Sequence, residues 1–163
     1  MSAPVLHLVR HAHAGDRAAW TGDDSQRPLS PKGWRQARGL VTGLGVTSLR
    51  QAVSSPSLRC VQTLEPLAEA HGRRVESDDR LLEGADPRDA LDLIEAALAR
   101  GGATAACSHG DVIPGVLDLL RSAGMRFEGP LTWPKASTWV LEGDAAGRVV
   151  RARYLPPPSP DAR

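Results

Sequence analysis

Two short apolar runs in this chain end in histidine. Val5-Leu6-His7-Leu8-Val9 leads into Arg10-His11, and Thr104 to Ser108 leads into His109-Gly110. Arg59 follows a third such segment, Ala52 to Ser54, by a few residues. Each run has the length and β-branched content of a buried strand. In open α/β sheets, sites form beyond the carboxyl ends of the strands. Arg10, His11, Arg59 and His109 could therefore meet in one crevice. Two arginines and two histidines without an excess of carboxylates describe a pocket for a small dianion. Guanidinium forks match phosphate oxygens, and a histidine can take a phosphoryl group as a nucleophile. Such chemistry needs mainly positioning and charge stabilisation.

The elements that must position these groups alternate between strand and helix. Ser30-Pro31 reads as an N-cap followed by proline at the first helical position. Trp34, Ala37, Leu40, Val41 and Leu44 then recur at helical spacing, with Gly45 as the stop. Leu58, Val61, Leu64, Leu67 and Ala68 give a second apolar helix face after Ser55-Pro56, ending at Gly72. Arg73 to Glu76 reads as an edge strand. Asp86-Pro87 opens a third helix, with Ala90, Leu93, Ile94, Ala97 and Leu98 on one face and Gly101-Gly102 as its close. Val112 to Ala123 is a fourth, with Pro114 tolerated in the first turn. Lys135 to Leu141 and Arg148 to Tyr154 read as a closing antiparallel hairpin. Gly15 to Pro28 is polar and reads as a loop. The predicted fold is a three-layer α/β/α sandwich with a mostly parallel central sheet. Residues 1–154 form one domain, and 155–163 a Pro-rich mobile tail.

The chain has 163 residues, enough for one domain with its own core. Lys plus Arg is 20 against 19 Asp plus Glu, a net charge of +1. That balance argues against a nucleic-acid polymer or a membrane surface as partner. No apolar run approaches a membrane span and no signal peptide precedes the first strand, so the expected location is the cytoplasm. Cys60 and Cys107 have no metal-ligand spacing and read as core residues.

Five segments together resemble the histidine phosphatase superfamily, with its phosphoglycerate mutase-like fold. They are Leu8-Val9-Arg10-His11-Ala12, Arg27-Pro28-Leu29-Ser30-Pro31-Lys32-Gly33, Ser54-Ser55-Pro56-Ser57-Leu58-Arg59, Leu82-Glu83 and Ser108-His109-Gly110-Asp111. Length and the Arg-Pro-Leu-Ser segment are similar to the small SixA-type branch. Gly22-Asp23-Asp24, Val112-Ile113-Pro114 and Lys135 to Leu141 resemble the phosphatase domain fused to Nudix hydrolases in some actinobacteria. No Nudix box is present, so a separate Nudix enzyme is a possible partner.

The resemblance implies His11 as the nucleophile that becomes phosphohistidine. It implies Arg10 and Arg59 as phosphate clamps, and His109 as a donor to the phosphoryl oxygens. Glu83 is implied as the general acid. It implies no cofactor and no metal. Ala12 stands where the family usually has glycine, which requires an ordinary negative φ there. Arg27, Trp20, Lys135 and Ser54 are candidate substrate contacts outside the phosphoryl position; a purine on Trp20 is one candidate, and packing over the helix is the other. His13 reads as a loop residue near the pocket mouth, His7 as structural, and Asp111 as an N-cap. The expected activity is metal-independent hydrolysis of a small phosphorylated compound, nucleotide-derived, through phosphohistidine. A SixA-like phosphohistidine protein phosphatase and a non-catalytic phospho-ligand binding module are the alternatives. Mutase activity is a third, but no long insertion is present to exclude water.

Overall fold

The computed structural model describes residues 2–159. Seven strands form one sheet: β1 (Val5–Arg10), β2 (Leu49–Ser54), β3 (Val75–Ser77), β4 (Ala103–Ser108), β5 (Phe127–Glu128), β6 (Thr138–Gly143) and β7 (Val149–Leu155). Their order across the sheet is β3-β2-β4-β1-β6-β7-β5. β1, β4, β2 and β3 are parallel neighbours, whereas β6 runs antiparallel to both β1 and β7. Four helices, α1 (Pro31–Gly43), α2 (Leu58–Ala70), α3 (Pro87–Ala99) and α4 (Val112–Ser122), cover the two faces.

The alternation of side chains along β1 shows how the layers divide. Leu6 and Leu8 join one core with Ile94, Leu98, Ile113, Val116 and Trp139, beneath α3 and α4. Val9 faces the other way, into a second core with Leu40, Leu64 and Leu67 beneath α1 and α2. A central strand buried on both faces must be apolar on both, which is why β1 reads as a continuous run. The predicted three-layer sandwich is the observed one. The exposed edges are short: β3 has three residues and β5 two, which limits edge-to-edge pairing.

The helix starts follow the predicted caps. Ser30 Oγ accepts from Gly33 N at the head of α1, and Asp86 accepts from Arg88 N at the head of α3. Several boundaries differ from the sequence reading: β2 begins at Leu49 rather than Ala52, and β3 spans Val75–Ser77 rather than Arg73 to Glu76. The closing hairpin begins at Thr138, not Lys135, because Ala136 has φ 65°, a left-handed conformation that cannot continue a strand. β7 reaches Leu155, which pairs with Thr138 and so belongs to the sheet rather than to a tail. Beyond it the chain lies along α1, where a Cβ on Gly39 would come within 2.6 Å of Pro158. The rest of the predicted tail, residues 160–163, lies outside the described residues. Among the described residues no helix is long and apolar enough to cross a membrane.

Candidate active site

Parallel register brings the histidines together. Arg10 stands opposite Ser108, and Ser54 opposite Cys107, at the ends of β1, β4 and β2. The ladder continues one step, with His11 N donating to Ser108 O and Ser55 N to Cys107 O. The residues that follow, His11, Ser55 and His109, therefore leave the sheet side by side. The rings of His11 and His109 are 5.5 Å apart, edge to face.

His11 is 5% exposed, and its Nδ1 is 2.8 Å from the carbonyl of Ala12. A carbonyl only accepts, so Nδ1 carries the hydrogen and Nε2 keeps its lone pair. Burial pushes the imidazole down to about 3; the charges of Arg59, His109 and Arg10 push the same way, and the Ala12 carbonyl opposes them. The ring is neutral at physiological pH, as a nitrogen nucleophile requires. Ala12 does not have a positive φ, so the departure from glycine strains nothing. Its amide donates to Thr63 Oγ1 at 2.9 Å, which ties the turn to α2.

Three basic side chains around His11 share one pattern. Arg10 Nη1 donates to Trp133 O at 2.9 Å, and its buried Nε has no partner. Arg59 Nη1 donates to Asp24 O at 2.9 Å, and its buried Nε has none. His109 Nε2 is 2.8 Å from Ser55 Oγ, and its buried Nδ1 has none. Each is held by at least one nitrogen and left with another unsatisfied. Buried polar nitrogens without partners are uncommon and costly. Gly110 is required by this packing: a Cβ there would lie 2.6 Å from Arg10 Nη2 and 2.7 Å from Cζ.

The chain matches the family model of the histidine phosphatase superfamily (branch 1) over residues 6–85. It is 36% identical over 155 residues to an 8-oxo-(d)GTP phosphatase of Mycolicibacterium smegmatis. That alignment takes in 93% of this chain and 48% of the relative, so the chain spans about half the length of that protein. A SixA structure from Nakamurella multipartitia superposes with a TM-score of 0.73 at 23% identity, covering 98% of this chain and 99% of the other. The protein histidine phosphatase SixA in complex with tungstate superposes with a TM-score of 0.71 at 21% identity, covering 96% and 97%. Over residues 6–85 this chain carries the pattern of the histidine phosphatase superfamily. At these identities the two SixA structures establish the shared fold.

The pocket where these side chains meet has a volume of about 290 Å³. Of the residues singled out in the sequence, Arg10, His11, Arg27, Glu83, His109 and Lys135 line it. Arg59 does not line it. At 1% exposure it lies beneath the rim, with Nη2 3.2 Å from Asp24 Oδ2 and 3.7 Å from Glu83 Oε2. Both Glu83 oxygens accept from Arg17 Nη2, at 2.9 and 3.1 Å, so that pair fixes the carboxylate at the pocket wall. Lys135 has its ammonium pushed below the usual lysine value by burial and then by the charges of Arg10, Arg27, Arg17 and Arg59. It is held at the pocket by Ala136, whose amide points to the carbonyls of Arg10 and His11.

Ser54 is not brought to the pocket. It is fully buried at the end of β2 and its hydroxyl donates to Ser55 O. Ser55, one residue later, is the serine that reaches His109. Trp20 lies outside the pocket as well, 38% exposed, with Nε1 donating to Asp23 O. It lines a neighbouring depression of about 230 Å³ that shares Gly15 and Arg27 with the pocket. His13 binds Ser30 Oγ through Nδ1 at 2.6 Å and secures the loop to the head of α1. Asp111 caps α4, accepting from Val112 N, and its second oxygen accepts from Gly84 N at 2.7 Å. It thus fixes the segment that carries Glu83.

Sequence reasoning did not single out Arg17, Asp24 or Ser55 for the pocket. Asp24 sits at the start of a short 3-10 turn, Asp24–Gln26, capped by Asp23. Burial opposes its charge, but a hydrogen bond from Arg27 and the charges of Arg59, Arg27 and Arg17 hold its carboxyl below the usual range. The one available signal was three acids, Asp16, Asp23 and Asp24, in a loop flanked by arginines.

Proposed function

We propose that this protein is a metal-independent phosphatase that works through a phosphohistidine on His11. The observation that carries the reading is the neutral His11 among three basic side chains, Arg10, Arg59 and His109, each with a buried nitrogen that has no partner. A tetrahedral oxyanion seated at His11 lies against Arg10 and His109, which line the pocket, with the charge of Arg59 acting from outside that lining.

In the first step the Nε2 lone pair of His11 attacks phosphorus. The N–P bond forms as the P–O bond to the leaving group breaks, and the leaving oxygen takes the electron pair. Glu83 is the carboxyl group placed to protonate it. The Nδ1 hydrogen stays on the Ala12 carbonyl and orients the ring. In the second step water attacks phosphorus and gives up a proton to the Glu83 carboxylate, the N–P bond breaks with its electron pair returning to Nε2, and phosphate departs. Arg10, Arg59 and His109 stabilise the charge in both steps. Loss of one such donor costs roughly a hundredfold or more in rate.

The substrate is a small phosphorylated compound, nucleotide-derived. The likeness to the 8-oxo-(d)GTP phosphatase supports this, as does the exposed Trp20 beside Arg27 at the pocket mouth. The SixA-like fold supports a second reading, a phosphohistidine protein as substrate. One assay tests all of this: phosphate release in EDTA from p-nitrophenyl phosphate, from nucleoside mono-, di- and triphosphates including 8-oxo forms, and from a phosphohistidine protein. The expected result is release that vanishes in His11→Ala, with the nucleotides preferred. Preference for the phosphohistidine protein would select the second reading. Release by His11→Ala at the wild-type rate would overturn the mechanism.

A further inference from the structure

Arg27 and Arg59 are both buried, at 5% and 1% exposure, and they share one carboxylate, that of Asp24. Asp24 Oδ1 accepts from Arg27 Nε at 3.0 Å, and Oδ2 lies 3.2 Å from Arg59 Nη2. The same oxygen is 3.4 Å from Arg17 Nη2. The backbone carbonyl of Asp24 accepts from Arg59 Nη1. Four contacts thus converge on one residue from three guanidinium groups. The turn that holds it is itself fixed, since Asp23 caps it through Ser25 N and receives Trp20 Nε1 on its carbonyl.

We propose that Asp24 is a positioning residue of this site: it locks Arg59, Arg27 and Arg17 into one array and so fixes where the Arg59 charge stands relative to His11. The inference rests on the phosphatase reading and deepens it, by saying what aims the second arginine.

The sign of the effect separates this role from simple charge. A carboxylate beside an anion pocket repels the anion, so electrostatics alone predicts that removing it tightens phosphate binding. The array predicts the reverse. A buried guanidinium deprived of its carboxylate must find another, and Glu83 Oε2 is already 3.7 Å from Arg59 Nη2. Arg59 then turns to Glu83 and its charge leaves its place.

The test measures inorganic phosphate binding by calorimetry, well below the melting temperature, for wild type, Asp24→Asn and Asp24→Glu. Turnover is followed in parallel. In Asp24→Asn we expect the phosphate Kd to rise about tenfold and kcat to fall on the order of a hundredfold. Asp24→Glu, which keeps the charge, should recover part of both. If Asp24→Asn does not fold, Asp24→Glu against wild type decides, because a longer carboxylate must still shift the array and weaken phosphate. Phosphate bound equally or more tightly by Asp24→Asn, or by Asp24→Glu where that variant decides, would overturn the proposal. So would a wild type that does not bind phosphate. A wild type that binds phosphate but turns nothing over would refute the phosphatase reading while the Kd comparison still decides the role of Asp24.

Discussion

Gly110→Ala would probe the pocket with a single methyl group. The new Cβ would stand 2.6 Å from Arg10 Nη2, 2.7 Å from Cζ and 3.0 Å from Nε. Ordinary contact begins near 3.4 Å, so the guanidinium must retreat by about 0.8 Å. The far end of the Arg10 side chain must move first, because the three nearest atoms all belong to its guanidinium. Gly110 also has no positive φ, so alanine brings no backbone strain. The fold should therefore lose little, about 1 kcal/mol, through the disturbed bond from Arg10 to Trp133 O. Function should lose far more, because a misplacement of about 1 Å in a charged donor costs on the order of a hundredfold in rate. The assay pairs kcat/KM for phosphate release with a chemical denaturation curve. A variant with wild-type kcat/KM would refute the placement of Arg10 against the phosphoryl group. A variant that fails to fold would refute the inference that the clash is absorbed by the side chain.

Two further predictions concern stability. His7 and His11 are neutral in the fold, with burial the main cause of values pushed down to about 4 and about 3. The unfolded chain protonates them at the ordinary value near 6.5 and so binds more protons below it. Their stabilisation is complete above pH 6.5 and falls as pH drops toward 4, by about 3 kcal/mol per histidine. Denaturation curves at pH 7, 5.5 and 4 should show the fall, and His7→Gln should flatten it; an unchanged slope in that variant would contradict the burial argument. Gly33→Ala places a Cβ 1.9 Å from the carbonyl of His13, which already accepts from Ser30 N. Backbone must move there, so we expect a loss of about 3 kcal/mol, and a melting temperature within a degree of wild type would show that the loop and α1 do not press together.

Local chemistry determined much of this protein. Ser30-Pro31 and Asp86-Pro87 mark helix starts because a capping oxygen and a fixed φ act within one turn. The doubly apolar runs at β1 and β4 identify the centre of a parallel sheet, and parallel strands deliver their C-terminal residues to one edge. That is why Arg10, His11 and His109 could be placed together from the sequence. The start of β6 was hidden because nothing in Lys135-Ala136-Ser137 announces a positive φ on alanine. β5, two residues long, carries too little pattern to read.

Only the tertiary structure chose among the acids and hydroxyls. Asp16 and Asp23 spend their side chains capping short turns, whereas Asp24 turns inward to Arg27, Arg59 and Arg17. Ser54 is consumed by its neighbour's carbonyl, and Ser55 meets His109 from 54 positions away. Arg17 meets Glu83 from 66 positions away. Periodicity and capping act over a few residues. Which carboxylate reaches which guanidinium depends on how β1, β2 and β4 align and where the loops beyond them are held.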